Sequence, residues 1–211
     1  MSVRILIALV GVLALAAASA AGLLLRDRDE SGFSVPSAGA YRGSEPPGVN
    51  LLPRFALPRI GGGIVRSADL RGRVVLATFV DSDCKETCPI IIGILGRALP
   101  QLSAAEHRQL AALAISVNPA GDTPASVRHF LAQRGALGQL AYLVAPVATM
   151  RHIWKSFQVL AAEETGNPNL HSADVRIFDR SGRWVSTLNA GADLSVANLL
   201  HDIRQALKPG S

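Results

Sequence analysis

Residues 74–89 of this 211-residue chain have the sequence Val-Val-Leu-Ala-Thr-Phe-Val-Asp-Ser-Asp-Cys-Lys-Glu-Thr-Cys-Pro. The first seven, Val74–Val80, form an almost continuous apolar run, which is typical of a central β-strand covered on both faces. Cys84 and Cys88, the only two cysteines of the chain, follow at once. Pro89 favours the first turn of a helix. The sequence therefore predicts a strand-to-helix junction that carries both thiols.

Alternating strand and helix patterns continue on both sides of this junction. Glycines 61–63 predict a hairpin before it, and the turn at residues 179–182 predicts a second hairpin near the C-terminus. The order predicts an α/β, thioredoxin-like fold with an N-terminal hairpin extension and an insertion loop, residues 161–172, before the final β-hairpin. The predicted strands are 55–60, 64–66, 74–80, 110–117, 140–144, 174–178 and 183–188, and the predicted helices are 89–99, 124–134, 147–157 and 195–207.

The N-terminal segment predicts export. Arg4 precedes the apolar residues 5–25, which as a helix match the roughly 30 Å hydrocarbon core of a bilayer. We expect an N-terminal membrane anchor with one transmembrane helix, or a cleaved signal peptide, at 1–26. A flexible linker rich in Ser, Gly and Pro follows at 27–50, and the folded domain comprises 51–211. These features predict a single-pass cell-membrane protein whose domain lies on the extracytoplasmic side, where disulfides can persist.

The composition argues against nucleic-acid binding. The formal net charge is +5, but the Lys and Arg residues are scattered, and only 5% of the residues are aromatic. The chain therefore lacks both the clustered basic charge and the aromatic stacking platform of such proteins. We expect no nucleic-acid partner.

The spacing of the two cysteines leaves several chemistries open. On a helix, Cys84 and Cys88 would share one face with their Cα atoms about 6 Å apart. Such a pair could close a redox-active disulfide or hold a soft metal ion such as Cu(I) or Zn(II). A purely structural disulfide is a weaker alternative, because so short a loop constrains the unfolded chain little.

One histidine is a candidate third ligand. His171 ends the polar loop that precedes the final hairpin, at the edge of the sheet where the cysteines are also expected. The remaining four lie on or beside predicted helices, where we expect ordinary surface positions. They are His107, His129, His152 and His201.

Several short motifs together resemble those of one family. They are Phe79, Ser82-Asp83-Cys84, Cys88-Pro89, Ser116-Val117-Asn118-Pro119, Asp122-Thr123-Pro124, His171-Ser172, Ile177-Phe178-Asp179 and Gly182. From about Leu70 to its C-terminus, the chain resembles the Sco/SenC family of membrane-anchored copper proteins, which serve cytochrome c oxidase assembly. That family has a thioredoxin-like fold. Its members usually have Thr where Ser82 stands, often Pro-Asp at positions 85–86, and commonly an aspartate in place of Asn118.

The resemblance implies a copper site and a function. It implies that Cys84, Cys88 and His171 bind one copper ion per chain, as Cu(I) or Cu(II), and that Cys84 and Cys88 are also a redox-active dithiol. The implied protein is a metallochaperone that delivers copper to the dinuclear copper site in the copper-bearing subunit of cytochrome c oxidase, a carrier rather than an enzyme. The alternative is an extracytoplasmic thiol-disulfide oxidoreductase that reduces partner cysteines. The spacing of the pair weighs against it, because such enzymes commonly use Cys-x-x-Cys.

Overall fold

A computed structural model of the chain describes residues 39–46, 48–160 and 172–209. The predicted anchor at 1–26, most of the predicted linker and nearly all of the predicted insertion loop lie outside the described residues. Within the part of the chain that is described, no helix combines the length and the apolar character needed to cross a membrane.

The described residues form a mixed α/β fold. Their strands are β1 (Ala56–Pro58), β2 (Ile64–Arg66), β3 (Val74–Val80), β4 (Leu110–Ser116), β5 (Ala141–Leu143), β6 (Asp174–Phe178) and β7 (Trp184–Asn189). Their α-helices are α1 (Thr87–Ala98), α2 (Ala104–Gln109), α3 (Pro124–Gln133), α4 (Val147–Ser156) and α5 (Val196–Ala206), and short 3-10 helices lie at Ser67–Leu70 and Leu99–Gln101.

A five-stranded sheet in the order β5-β4-β3-β6-β7 forms the centre of the domain. β3, β4 and β5 are parallel to one another, whereas β6 and β7 form the predicted antiparallel hairpin beside β3. β1 and β2 pair with each other as the predicted N-terminal hairpin extension. A bridge between Arg59 and Leu143 joins the end of β1 to β5. The predicted α/β class and the predicted succession of strands along the chain are therefore confirmed.

Helices and the hairpin extension cover both faces of the sheet. Alternate side chains of β3 enter different clusters, because successive residues of a strand point to opposite faces. Val75 and Phe79 pack in the cluster that contains α4 and β1, whereas Val74 and Leu76 pack in the cluster that contains α1 and α5. Every residue of β3 is buried. This burial on both faces explains the continuous apolar run.

The short helix α2 was not predicted. None of its residues is buried, so the sequence lacks the apolar periodicity of a core-facing helix. A capping box starts it: Ser103 Oγ accepts from the Glu106 N–H at 3.2 Å, and Glu106 accepts from the Ser103 N–H at 2.6 Å. The Ser-x-x-Glu spacing is the sequence signal that would have predicted this helix.

Part of the predicted linker is bonded to the domain. The N–H groups of Arg42 and Gly43 donate to the two carboxylate oxygens of buried Asp202 on α5, at 2.8 and 2.9 Å. Ser44 forms an antiparallel bridge with Thr187 of β7. A Cβ on Gly43 would lie 2.6 Å from the Thr187 carbonyl oxygen, so this close approach requires glycine. The contacts of the domain therefore begin before residue 51.

Candidate metal centre

The candidate centre lies where β3 ends and α1 begins. The loop that follows β4 runs beside this junction, because the Val117 N–H donates to the Val80 carbonyl at 2.9 Å. Residues after the carboxyl ends of neighbouring parallel strands thus meet at one edge of the sheet, a common location of binding sites in α/β proteins.

The two cysteines do not share a helix face. Cys84 lies in the loop before α1 and only Cys88 belongs to the helix, so the i, i+4 spacing on one helix face does not apply to them. The predicted strand-to-helix junction that carries both thiols is confirmed. Within a helix, the ring of Pro89 would clash with the carbonyl four residues earlier, at Lys85, which prevents α1 from extending back to Cys84. Asp81 instead forms a turn. Its carboxylate accepts from the Asp83 N–H at 2.8 Å, and its carbonyl accepts from the Cys84 N–H at 3.3 Å.

The two thiols nevertheless meet. Neither cysteine is in a disulfide; Cys84 is half-buried and Cys88 is fully buried. A hydrogen bond between the Cys84 and Cys88 side chains, together with burial, raises the pKa of the Cys88 thiol. Two soft sulfur donors within hydrogen-bond reach fit a soft cation such as Cu(I), and they also fit a disulfide. A metal ion must displace the thiol protons, because thiolates are the ligands.

His171 lies outside the described residues, so its role as a ligand stays a prediction. In the described ranges, no group of three or more His, Cys, Asp or Glu side chains could hold a metal ion. The neighbouring Ser172 is placed: its N–H donates to the Leu160 carbonyl at 3.0 Å, and its Oγ accepts from the Leu160 N–H at 3.1 Å. Because Val175 of β6 pairs with Thr78 in antiparallel register, β6 begins at the edge where β3 ends. Ser172 precedes β6 by two residues.

A buried carboxylate supports the cysteine loop. Asp122 Oδ1 accepts from the Ser82 N–H at 2.8 Å, and Oδ2 accepts from Ser116 Oγ at 2.5 Å and from the Tyr142 hydroxyl at 2.8 Å. Burial raises the pKa of Asp122, although these hydrogen bonds oppose the shift. The carboxylate thereby ties the loop before Cys84 to β4 and β5. The sequence marked Asp122 only as part of a motif, and no local pattern indicated these distant partners.

The amide at position 118 suits its surroundings. Asn118 Nδ2 donates to Asp81 Oδ1 at 3.2 Å, and Asn118 Oδ1 accepts from the Gly121 N–H at 3.1 Å. An aspartate here would place a second carboxylate against Asp81 and could not donate while ionised. Asn118 therefore joins the loop after β4 to the turn that positions Cys84.

Solved structures of several Sco proteins are similar to this chain. They include Bradyrhizobium japonicum ScoI with copper bound, at 24% identity, covering 74% of this chain and 99% of that chain with a TM-score of 0.59. Yeast Sco1 with copper bound is 23% identical over 74% of this chain and 87% of that chain, with a TM-score of 0.61. A third structure is that of BsSco, described with a disulfide switch and as a member of the Sco family of cytochrome c oxidase assembly proteins. BsSco is 20% identical over 78% of this chain and 99% of that chain, with a TM-score of 0.63. At these identities the likenesses show the fold, which is thioredoxin-like.

The sequence itself matches a family model. Residues 44–208, well over half of the chain, match SCO1/SenC. No curated relative matches the chain. The matched region starts at Ser44, which forms the bridge with β7, and it includes both cysteines and His171. The chain belongs to the SCO1/SenC family.

Proposed function

We propose that this protein is a copper-binding metallochaperone that delivers copper to the dinuclear copper site of cytochrome c oxidase during its assembly. The observation that supports the proposal is the contact between the two reduced thiols at the β3–α1 junction. Copper-bound structures of similar family members, such as yeast Sco1, support copper as the cargo.

The different burial of the two thiols suits a carrier. Cys88 is closed off beneath α3, in the cluster that contains Ile92 and Val127, so it can hold the cargo away from water. Cys84 is half-exposed and can exchange the ion with a donor or an acceptor. Thiolates favour Cu(I), and the imidazole of His171 would complete the set and accommodate Cu(II). In this proposal, one ion is bound per chain, and three protein ligands leave a side open to the partner.

A thiol-disulfide oxidoreductase is the second candidate, and the contact between the same two sulfurs favours it. The Cys84 thiolate would attack a partner disulfide and form a mixed disulfide with one partner sulfur, while the other leaves as a thiol. Cys88 would then attack Cys84, which releases the second partner thiol and leaves a Cys84–Cys88 disulfide. Two electrons pass to the partner, and an external thiol must regenerate the dithiol. BsSco, with its disulfide switch, is a similar protein.

Copper titration tests the chaperone function. We expect the full chain, reduced and held in nonionic detergent, to bind one Cu(I) in competition with a moderate Cu(I) chelator. His171→Ala should weaken binding at least tenfold, and Cys84→Ser should abolish the competition. His152→Ala, which removes an exposed histidine on α4, is the matched control and should leave the affinity unchanged. If the wild type loses the copper to the chelator, the chaperone proposal fails.

The oxidoreductase is distinguished in metal-free protein. It requires reduction of a partner disulfide by the reduced chain without copper, and loss of this activity in Cys84→Ser. Retained reduction together with absent copper binding would favour the oxidoreductase over the chaperone.

The location is part of the proposal. An extracytoplasmic domain anchored by the apolar residues 5–25 would place the site where cytochrome c oxidase receives its copper. The uninterrupted apolar sequence of that segment supports the anchor. Protease added to sealed, right-side-out membrane vesicles or spheroplasts should digest the domain while a fragment containing residues 5–25 stays with the membrane.

A further inference from the structure

A cleft rich in arginine lies at the end of the sheet opposite the cysteines. It has a volume of about 840 Å³ and is lined by β1, the 3-10 helix Ser67–Leu70, the start of β3 and the turn between β6 and β7. Arg73 lines the cleft just before β3 begins, whereas Cys84 follows the other end of that strand. Seven strand residues separate the two regions, a distance of about 20 Å at the usual rise. The cleft is therefore not part of the candidate metal centre.

Five arginines line this cleft, and no acidic residue is among the described residues that line it, although Asp69 is exposed on the adjoining 3-10 helix. The arginines are Arg54, Arg66, Arg71, Arg73 and Arg180. Among the described residues, none of them takes part in an ion pair. The nearby Asp179 is already occupied, because its carboxylate accepts from Ser181 N–H and Oγ and from the Arg183 N–H. Concentrated positive charge without counter-charge attracts an anion.

Two of these arginines are fixed in place but incompletely bonded. Arg73 donates from one terminal nitrogen to the Leu110 carbonyl, and Arg180 does so to Gln109 Oε1. The Nε atom of each is buried without a hydrogen-bond partner in the described structure. A buried N–H that lacks an acceptor is unfavourable. Each guanidinium group is therefore held by a single recorded hydrogen bond, and its other terminal nitrogen remains available to an anion in the cleft.

The floor of the cleft is apolar. Phe55, Leu70 and Val75 line it, and all three are buried. A volume of this size lies within the range of about 300–1,000 Å³ that is typical of small-molecule sites. A phosphate group can accept from several guanidinium groups at once, and an attached hydrocarbon group can pack against the apolar floor. Inorganic anions would use only the first of these features.

We propose that this cleft binds an organic phosphate, a phosphate ester whose apolar part packs on Phe55, Leu70 and Val75. The same chemistry occurs in a phospholipid headgroup and in a soluble phosphate ester. The site does not depend on copper, because neither cysteine contributes to it.

Calorimetric titration of the full, reduced and copper-free chain in nonionic detergent tests this proposal. The probes are phenyl phosphate, inorganic phosphate and a water-soluble short-chain phosphatidic acid. We expect one phenyl phosphate to bind per chain at least tenfold more tightly than inorganic phosphate. Equal affinity for the two would show that the apolar floor contributes nothing, and would overturn the proposal of an organic ligand.

A matched pair of double variants locates the site. Arg66→Gln/Arg71→Gln removes two charges from exposed side chains for which the structure records no hydrogen bond, so folding should be preserved. Arg128→Gln/Arg151→Gln removes the same charge from exposed positions on α3 and α4. The first should weaken phenyl phosphate binding at least tenfold and the second less than twofold.

Absence of saturable binding, or equal weakening in both double variants, would overturn the proposal. If the proposal holds, the short-chain phosphatidic acid shows whether the natural ligand is a phospholipid or a soluble ester. Short-chain phosphatidic acid that binds at least tenfold more tightly than phenyl phosphate supports a phospholipid, and any weaker binding supports a soluble ester. Copper titration of Arg66→Gln/Arg71→Gln should match the wild type, which separates this site from the metal centre.

Discussion

The Asp122 carboxylate provides the sharpest test of how the cysteine loop is held. In Asp122→Ala, the buried Ser82 N–H and the Ser116 hydroxyl lose their acceptor. The Tyr142 hydroxyl keeps a partner, because it also lies 3.2 Å from the Val80 carbonyl oxygen. Each of the two groups that lose a bond costs about 1–3 kcal/mol. Relief of the desolvated carboxylate opposes this loss, so we expect a destabilisation of about 2–4 kcal/mol.

Urea unfolding of the reduced, copper-free full chain, followed by tryptophan fluorescence, measures this free energy. Asp69→Ala is the matched control, because Asp69 is exposed on the 3-10 helix and the structure records no hydrogen bond or ion pair for its side chain. The control should change the stability by less than about 0.5 kcal/mol. The rate at which an external disulfide reagent modifies Cys84 should rise in Asp122→Ala only, because Ser82 is released two residues away. A loss below about 1 kcal/mol with an unchanged rate would refute the role assigned to Asp122.

Two further predictions concern packing and pH. Gly96→Ala should destabilise the protein by about 1–3 kcal/mol in urea unfolding, because its Cβ would lie 2.2 Å from the Arg134 carbonyl oxygen. Gly93→Ala on the same helix meets only the end of the Arg97 side chain, at 3.4 Å, and should stabilise by about 0.5–1 kcal/mol; equal effects at the two sites would contradict this packing. Because the pKa of Asp122 is raised, the folded state binds more protons at this residue than the unfolded state does at pH values above the ordinary pKa of 3.8. The contribution of Asp122 to the free energy of unfolding therefore falls as the pH rises from 3.8 through the pKa of the folded state. Urea unfolding at several pH values measures this effect. The free energy of unfolding of the wild type minus that of Asp122→Asn should decrease with rising pH, and a constant or increasing difference would contradict the raised pKa.

Elements whose signals are local could be predicted from the sequence. The apolar run of β3 indicated a strand covered on both faces, and it is buried throughout. The predicted helix start at residue 124 is confirmed in α3, where Thr123 Oγ1 caps the helix by accepting from the Ser126 N–H at 3.1 Å. Both signals act within a few residues, so they need no knowledge of the fold.

Features that depend on distant partners could not be predicted. Asp122 acts through Ser82, forty residues away, and through Tyr142, twenty residues away. The arginines of the cleft come from separate segments, and only the fold brings Arg180 beside Arg73.

The paired hydrogen bonds between Leu160 and Ser172 have a consequence for changing the sequence. These hydrogen bonds join the residues on either side of the intervening segment close to the start of β6. We therefore expect the pairing of β6 in the sheet to be independent of the number of residues between Leu160 and Ser172. The entropy of loop closure rises only slowly, by about 0.6 kcal/mol for each doubling of length. We therefore expect that the segment that carries His171 can be lengthened, shortened or exchanged with that of another family member at small cost to folding. The proposed third ligand could then be varied while the dithiol and its supporting carboxylate stay the same.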